Sequence, residues 1–479
     1  MSKKTSLRRL IGIVGILLAA GLIIWTALAL TVNAPIPPDP GSLGGEEAPA
    51  YLAALESYNS EISHTHAVLT LGVLVVVAYF FITECIPLMA TAMLIPCYYG
   101  ISGIMTFTDA FSGMIDSSVI LFGGMFIIGG AMFQTGLAQK IGYKVVDLSK
   151  GSKARTILGI CVITGIMSAF LSNTGTVAVL LPVCLGIADS QGWNRGELLF
   201  PLAIMASSGG MCTLVGTPPN MSAWTTLSSI GVNFGFFQFA LVGIPVVIIS
   251  IVYMMTLGKR LIPQRTSALV VKNEEKNKVY DVKKQWISGG ILVLCIIVMA
   301  TEVLPLAIVA VMGGIFCIIT GCLTEKQAYE AVDWQTIFLF SGALGLANAM
   351  KVTGAGALLA DATVNMLGGS PKPMVLMIVL FLLAGGLTQF MSNTAAAALL
   401  CPIGLSIAQS IGANPVSVVL AIGFACSAAY VTPVATPPNT MVYGPAGSKF
   451  MDFVKVGGPL FLIVGVICCI LLPVFFPFY

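Results

Sequence analysis

The sequence predicts an all-α polytopic membrane protein of about eleven spans plus two re-entrant hairpins, arranged as an inverted-topology repeat. Three observations predict it. The 479 residues are 57% hydrophobic and only 9% charged, with a mean hydropathy of +0.97; an average soluble domain is about one-quarter charged. Apolar runs long enough to cross a bilayer, which takes about 20 residues, recur along the chain. The chain also matches itself at an offset near 218. The composition excludes a soluble globular protein, a disordered tail and a fibrous repeat. The net charge of +3 says less than the placement of the charges does.

Residues 1–66 form the first unit. Lys3, Lys4, Arg8 and Arg9 precede the apolar stretch 10–32, which at 23 residues is longer than a signal-peptide core of about 7–15. It reads as a retained span. The loop 33–66 that follows carries Asp39, Glu46, Glu47, Glu56 and Glu61 but no Lys or Arg. The first repeat, 67–258, holds spans near 67–83, 86–106, 118–137, 198–228 and 235–258, with a polar-centred apolar stretch at 156–189. A linker, 259–284, leads to the second repeat, 285–479, with spans near 286–303, 305–323, 335–352, 416–444 and 454–478 and the corresponding stretch at 373–410.

Lys and Arg orient these elements. Residues 1–9 carry four, 138–155 carry five and 259–284 carry eight. The positive-inside rule makes these segments cytoplasmic and the loop 33–66 external. A single crossing by 156–189 would place 259–284 outside, so that stretch is expected to dip in and return. The same reasoning folds 373–410 into a hairpin and puts the C-terminus outside, with the N-terminus inside.

The 12 Cys lie within apolar runs and show no zinc or redox spacing, so helix packing is their expected role. His64 and His66 fall at a polar loop edge, where no metal site is expected.

The self-match has five collinear anchors. Thr83-Glu84-x-x-Pro87 repeats as Thr301-Glu302-x-x-Pro305, and Phe122-x-Gly124 as Phe340-x-Gly342. Ser172-Asn173-Thr174 repeats as Ser392-Asn393-Thr394, and Thr217-Pro218-Pro219-Asn220 as Thr436-Pro437-Pro438-Asn439. Phe236-x-x-Phe239-x-x-x-Gly243-x-Pro245 repeats as Phe450-x-x-Phe453-x-x-x-Gly457-x-Pro459. Each copy holds five spans and one hairpin. Five is odd, so the second copy enters the membrane from the opposite side, an architecture typical of secondary transporters.

The polar motifs carry the chemistry. Ser, Asn and Thr are preferred helix N-cap residues, so each SNT is expected at a hairpin tip, opening the second half-helix. Such a tip offers hydroxyls, orphan N–H groups and the positive helix end, an anion site that needs no cationic side chain. Ser and Thr also join helices in membranes, but paired motifs at equivalent positions favour a site. Proline removes an N–H and frees carbonyls in the preceding turn. At membrane depth such backbone is tolerated where it lines a cavity, and freed carbonyls suit Na⁺. Glu84 and Glu302 read as structural caps or pair partners ahead of proton carriers. With no Lys or Arg expected near either motif, co-bound cations are the simplest way to offset an anion's charge.

At these motifs the chain resembles the divalent anion:sodium symporter family, over nearly its whole length from about residue 67. The resemblance implies a homodimer with a scaffold and a transport domain, the latter carrying both hairpins and moving across the membrane as an elevator. It implies a substrate clamp of Asn173, Thr174, Asn393 and Thr394, with Thr217 and Pro437 beside it. It implies one Na⁺ site at Ser168, Ser172, Asn173 and Gly216, and a second at Thr388, Met391, Asn393 and Ala435. The expected function is Na⁺-coupled uptake of a C4 dicarboxylate such as succinate. A Na⁺-independent dicarboxylate exchanger, or sulfate or citrate as substrate, stands as the alternative within the fold. An anion channel is the alternative class; it would need charged rings or carbonyl filters, which the sequence does not display. No catalytic constellation or nucleic-acid signature is present, so neither an enzyme nor a nucleic-acid partner is expected.

Overall fold

The computed structural model describes residues 3–32, 49–148, 152–232, 234–263, 280–366 and 372–479. Among them every regular element is helical. Helix α1 (Lys3–Ala27) precedes α2 (Pro49–Thr83), and the first repeat continues through α3 (Leu88–Ser102), the short α4 (Phe107–Ala110), α5 (Ser117–Gln134), α6 (Leu137–Leu148), α7 (Lys153–Phe170), α8 (Asn173–Gln191), α9 (Gly196–Gly210), α10 (Pro218–Ser228), α11 (Ala240–Tyr253) and the single turn α12 (Lys259–Leu261). The second repeat runs through α13 (Val282–Thr301), α14 (Leu306–Ile319), α15 (Glu325–Ala331), α16 (Trp334–Val352), α17 (Ala355–Met366), α18 (Pro373–Leu387), α19 (Asn393–Ser410), α20 (Pro415–Ser427), α21 (Pro437–Tyr443) and α22 (Phe450–Phe475). Eight helices among the described residues are long and apolar enough to span a bilayer, and four shorter apolar helices accompany them.

Two features depart from the sequence reading, and a third follows the broken backbone expected at the proline pairs. The expected loop 33–66 is helical from Pro49 onward, because Ala50, Leu52, Ala53, Ala54, Leu55 and Glu56 are good helix formers and no Gly or Pro follows them before Gly72. His64 and His66 therefore sit on α2; residues 33–48 lie outside the described residues. The span 118–137 ends at Gln134, and the basic segment after it folds as the amphipathic α6. Its counterpart α17 occupies a stretch to which no element was assigned. The spans 198–228 and 416–444 are each two half-helices, α9 with α10 and α20 with α21, separated by the non-helical segments 211–217 and 428–436.

The two repeats pack crosswise. Helix α5 of the first repeat lies against α14 of the second, and α16 of the second against α3 of the first. The Phe-x-Gly anchor explains both contacts. A Cβ on Gly124 would fall 2.6 Å from the Ala310 carbonyl oxygen, and one on Gly342 would overlap the backbone of Ala92. Only glycine allows helices so close, and small residues at such crossings are how membrane helices associate. Phe122 and Phe340 stack on one another with ring centroids 5.1 Å apart, so equivalent residues meet at the axis relating the repeats.

Helices α1–α5 and α13–α16 make one packing group. Helices α7–α12 and α18–α22 make another. The amphipathic α6 and the short α17 join them. Each follows the same joint, Thr135-Gly136 or Thr353-Gly354. The threonine hydroxyl bonds the carbonyl four residues back at 2.8 Å in both, and the glycine φ angles are +75° and +74°. Left-handed backbone of this kind favours glycine.

In the second group, Met211 and Tyr430 are equivalent residues, at the starts of the two non-helical segments. The Tyr430 hydroxyl lies 3.9 Å from Met211 Sδ and 2.8 Å from Ser208 Oγ, and Ser208 Oγ is 3.0 Å from Ser250 Oγ. All four residues are buried. This network ties one non-helical segment to the helix that feeds the other.

Candidate functional site

The SNT motifs occupy the positions that their capping chemistry dictates. Ser172 caps α8, its Oγ accepting from Gly175 N at 3.0 Å, and Ser392 caps α19, accepting from Ala395 N at 3.5 Å. The preceding helices α7 and α18 stop at Phe170 and Leu387. Both legs of the first pair, α7 and α8, pack on α9, and both legs of the second, α18 and α19, pack on α20.

The prolines open the facing half-helices. Pro218 starts α10 and Pro437 starts α21, where a missing N–H costs nothing. The non-helical segments before them are held by the asparagine that ends each motif. Asn220 Nδ2 donates to the Thr213 carbonyl at 2.8 Å and to the Gly210 carbonyl at 3.3 Å. Asn439 Nδ2 donates to the Thr432 and Ala429 carbonyls, both at 2.8 Å. Thr213 Oγ1 donates to the Ala169 carbonyl, and Thr432 Oγ1 donates to the Gln389 carbonyl at 2.6 Å. These bonds fasten each opened segment to the helix end before its tip. The sequence reading quoted both asparagines without a role; their place next to the proline pair was the available clue.

Tips and segments converge on one cavity of about 430 Å³. It is lined by Ser172, Asn173, Thr174, Gly216 and Thr217 from the first repeat and by Met391, Asn393, Thr394, Ala435 and Pro437 from the second. Every residue expected at the substrate clamp is on its wall. Thr436, the equivalent of Thr217, also lines it and was not singled out in the sequence. The lining includes Glu84 and Asp333 but, among the described residues, no Lys or Arg. Glu84 sits in left-handed backbone at φ +48°, as its equivalent Glu302 does at +53°, each at the corner that ends a helix. Neither carboxylate forms an ion pair among the described residues.

Ser168 and Thr388 stand behind the wall, fully buried. Ser168 Oγ lies 2.6 Å from both Asn173 Oδ1 and the Ala206 carbonyl oxygen. Thr388 Oγ1 lies 2.7 Å from Asn393 Oδ1 and 3.0 Å from the Cys426 carbonyl oxygen. A hydroxyl has one proton, so in each place it satisfies one of two acceptors. The inner corner of the Asn173 amide is also 3.0 Å from the Ala206 carbonyl and 3.1 Å from that of Gly216. With its NH₂ turned inward, the amide bonds these oxygens itself. With its oxygen inward, four oxygens face one another, a donor set that fits a hard cation. Of the residues expected at the sodium sites, Ser168, Asn173 and Gly216 meet at one oxygen-rich place and Thr388 and Asn393 at another, while Ser172, Met391 and Ala435 are placed on the cavity wall.

The cavity is not symmetric. Phe390 and Val434, from the second tip and segment, are 72% and 62% exposed, whereas their equivalents are covered: Phe170 packs edge-on against Phe237, and Val215 is 7% exposed. Helix α19 lies against α16, and no comparable packing joins the equivalent α8 to α5. The second packing group is therefore closed on the first at one end and open at the other.

Paired half-helices, serine-capped tips and a shared polar cavity inside an apolar bundle define a membrane transporter. Comparisons with known proteins agree. A family profile described as citrate transporter (CitMHS) matches residues 78–423 and 359–478. An uncharacterised transporter of Haemophilus influenzae is 31% identical over 418 residues, 83% of this chain and 89% of that protein. The sodium-dependent dicarboxylate transporter SdcS of Staphylococcus aureus is 27% identical over 430 residues, 81% of this chain and 82% of its own length. The crystal structure of the Alcanivorax borkumensis YdaH transporter superposes with a TM-score of 0.57 at 14% identity, covering 84% of this chain and 97% of that one. The chain belongs to the citrate transporter family, and the membership expected from its motifs, among divalent anion:sodium symporters, holds.

Proposed function

We propose that this transporter couples Na⁺ entry to the uptake of a C4 dicarboxylate such as succinate, moving its site across the membrane as an elevator. One observation carries the reading. Two serine-capped tips meet at a single cavity with no cationic side chain on its wall among the described residues, and each is backed by a buried hydroxyl that lies between an asparagine amide and a backbone carbonyl. Two helix N-termini can each receive one carboxylate. The net charge brought in is then offset by cations in the oxygen clusters. The sodium dependence named for the staphylococcal relatives supports the coupling.

In the orientation that the Lys and Arg placement favours, both hairpins re-enter from the side on which they begin. The first starts from the cytoplasm and the second from outside. The open cavity, whose rim includes Glu84 and Asp333, then faces the cytoplasm. The two packing groups correspond to the scaffold and the moving domain, with α6 and α17 as the arms between them. Homodimer formation through the scaffold completes the reading.

The test is radiolabelled succinate uptake into proteoliposomes, with an inward Na⁺ gradient or K⁺ in its place. Uptake that needs external Na⁺ and no internal anion is expected. Uptake indifferent to Na⁺ that requires internal succinate would make the protein an exchanger. A cavity of about 430 Å³ also has room for citrate, the substrate in the family's description, so citrate and sulfate belong among the competitors.

A further inference from the structure

A second polar cavity, of about 440 Å³, lies between the two packing groups at the other ends of α10 and α16. Ser112, Asp116, Trp224, Thr226, Asn348 and Lys351 are among its lining. Asp116 is the equivalent of Asp333, and each caps its helix through the backbone N–H and hydroxyl of a nearby residue, Ser118 or Thr336. The two cavities therefore share one carboxylate by symmetry. They differ in the rest of their charge. The first adds Glu84 and has no cation, while the second has Lys351, at whose equivalent position the first repeat carries Phe133.

Lys351 bridges the two packing groups at the wall of the second cavity. Its Nζ donates at 3.1 Å to the carbonyl of Ser229, the residue that caps the C-terminus of α10. Lys351 belongs to the scaffold group and Ser229 to the other. If the second group moves to expose its site at this end, that bond breaks and the ammonium is left in the opening vestibule. The partner it gives up is a neutral carbonyl, and a hydrogen bond to a charged acceptor is stronger.

We propose that Lys351 is the capture residue of the transporter: freed from Ser229 in the outward-open state, it draws the dianion into the external vestibule before the two tips take it over. The inference rests on the transport and orientation given above. It makes the two mouths electrostatically unlike: outside, Lys351 offsets Asp116, while inside, Glu84 and Asp333 face the substrate with no cation among the described residues. A charge-lined vestibule raises encounter rates by about 10-fold or more, and salt removes the gain.

The experiment is labelled succinate uptake by intact cells, which present only the external face, at fixed Na⁺ with ionic strength set by choline chloride. For Lys351→Gln, uptake at low succinate should fall about 10-fold at low ionic strength. The deficit should narrow as salt rises, and the rate at saturating succinate should stay within about twofold of the parent. Lys351→Arg should restore most of the low-succinate uptake. A loss that is the same at every salt and succinate concentration would make Lys351 a latch only and overturn the proposal. So would unchanged uptake at low succinate, or an effect confined to efflux. Parent uptake that ignores Na⁺ would fail the coupling reading alone, because the Lys351 comparison is then read in the same cells by exchange.

Discussion

At the residue scale, the site depends on two amides. Asn173 and Asn393 each face the cavity with one edge and a buried hydroxyl with the other. On the proposed function, truncating either removes a ligand that substrate and cation would share. Asn173→Ala and Asn393→Ala are expected to cut uptake about 10- to 100-fold, the range for losing a hydrogen bond to a charged group. Both should still yield a monodisperse membrane protein, and full transport by both would remove the site assignment. Ser168 and Thr388 touch the oxygen clusters but do not line the cavity. Ser168→Ala and Thr388→Ala should therefore move the sodium activation curve to higher concentrations, with the maximal rate at saturating sodium little changed. Sodium curves that superimpose on the parent in both variants would show these hydroxyls to be packing groups.

At the element scale, capping and proline chemistry made the tips and the broken helices legible before any coordinates. Ser172 and Ser392 cap where N-cap preference places them, and Pro218 and Pro437 open the half-helices they were expected to interrupt. The arms were not legible. Helix α6 reads as a basic connector because Lys140 and Lys144 dominate a window too short and too polar for a span. Helix α17 is only 12 residues long. Helix α6 packs on α7 and α8 and α17 on α19; for the amphipathic α6, hydropathy averaged along the chain does not report a single face. The asparagine clamps were illegible for a related reason: an amide that bonds carbonyls ten residues back needs the chain already turned. The crossings of the scaffold give a test at this scale. Gly342→Leu places a side chain where the Ala92 backbone lies and must separate α16 from α3. Overpacking typically costs about 1–3 kcal/mol. The variant should melt several degrees lower in detergent, whereas Gly290→Leu, at a position with open space around it, should not. Equal melting temperatures would mean that the crossing has slack.

At the scale of the whole molecule, the repeats are equal in sequence pattern but unequal in state. On the proposed elevator, two equivalent mouths would not both be open at once, and the asymmetry at Phe390 and Val434 would mark one position along its path. A cysteine at Val434 reads that position. In a background with the exposed Cys97 replaced, Val434→Cys should react with a membrane-impermeant maleimide applied from the cytoplasmic side of inverted vesicles. It should be spared in right-side-out ones, and Na⁺ with succinate should slow the labelling. Labelling from the outside alone would reverse the orientation.

The meeting of Met211 and Tyr430 has a consequence for the origin of that inequality. Where equivalent residues of two like halves meet they can match, as the stacked rings of Phe122 and Phe340 do. Met211 and Tyr430 do not match: one stiff ring rests against one pliable chain, and its hydroxyl must choose a side. It chooses Ser208, while the equivalent Ser427 turns back to the Gly423 carbonyl at 2.9 Å. That choice is an address written at the centre of the molecule: it tells the first half from the second before any ion, substrate or membrane does.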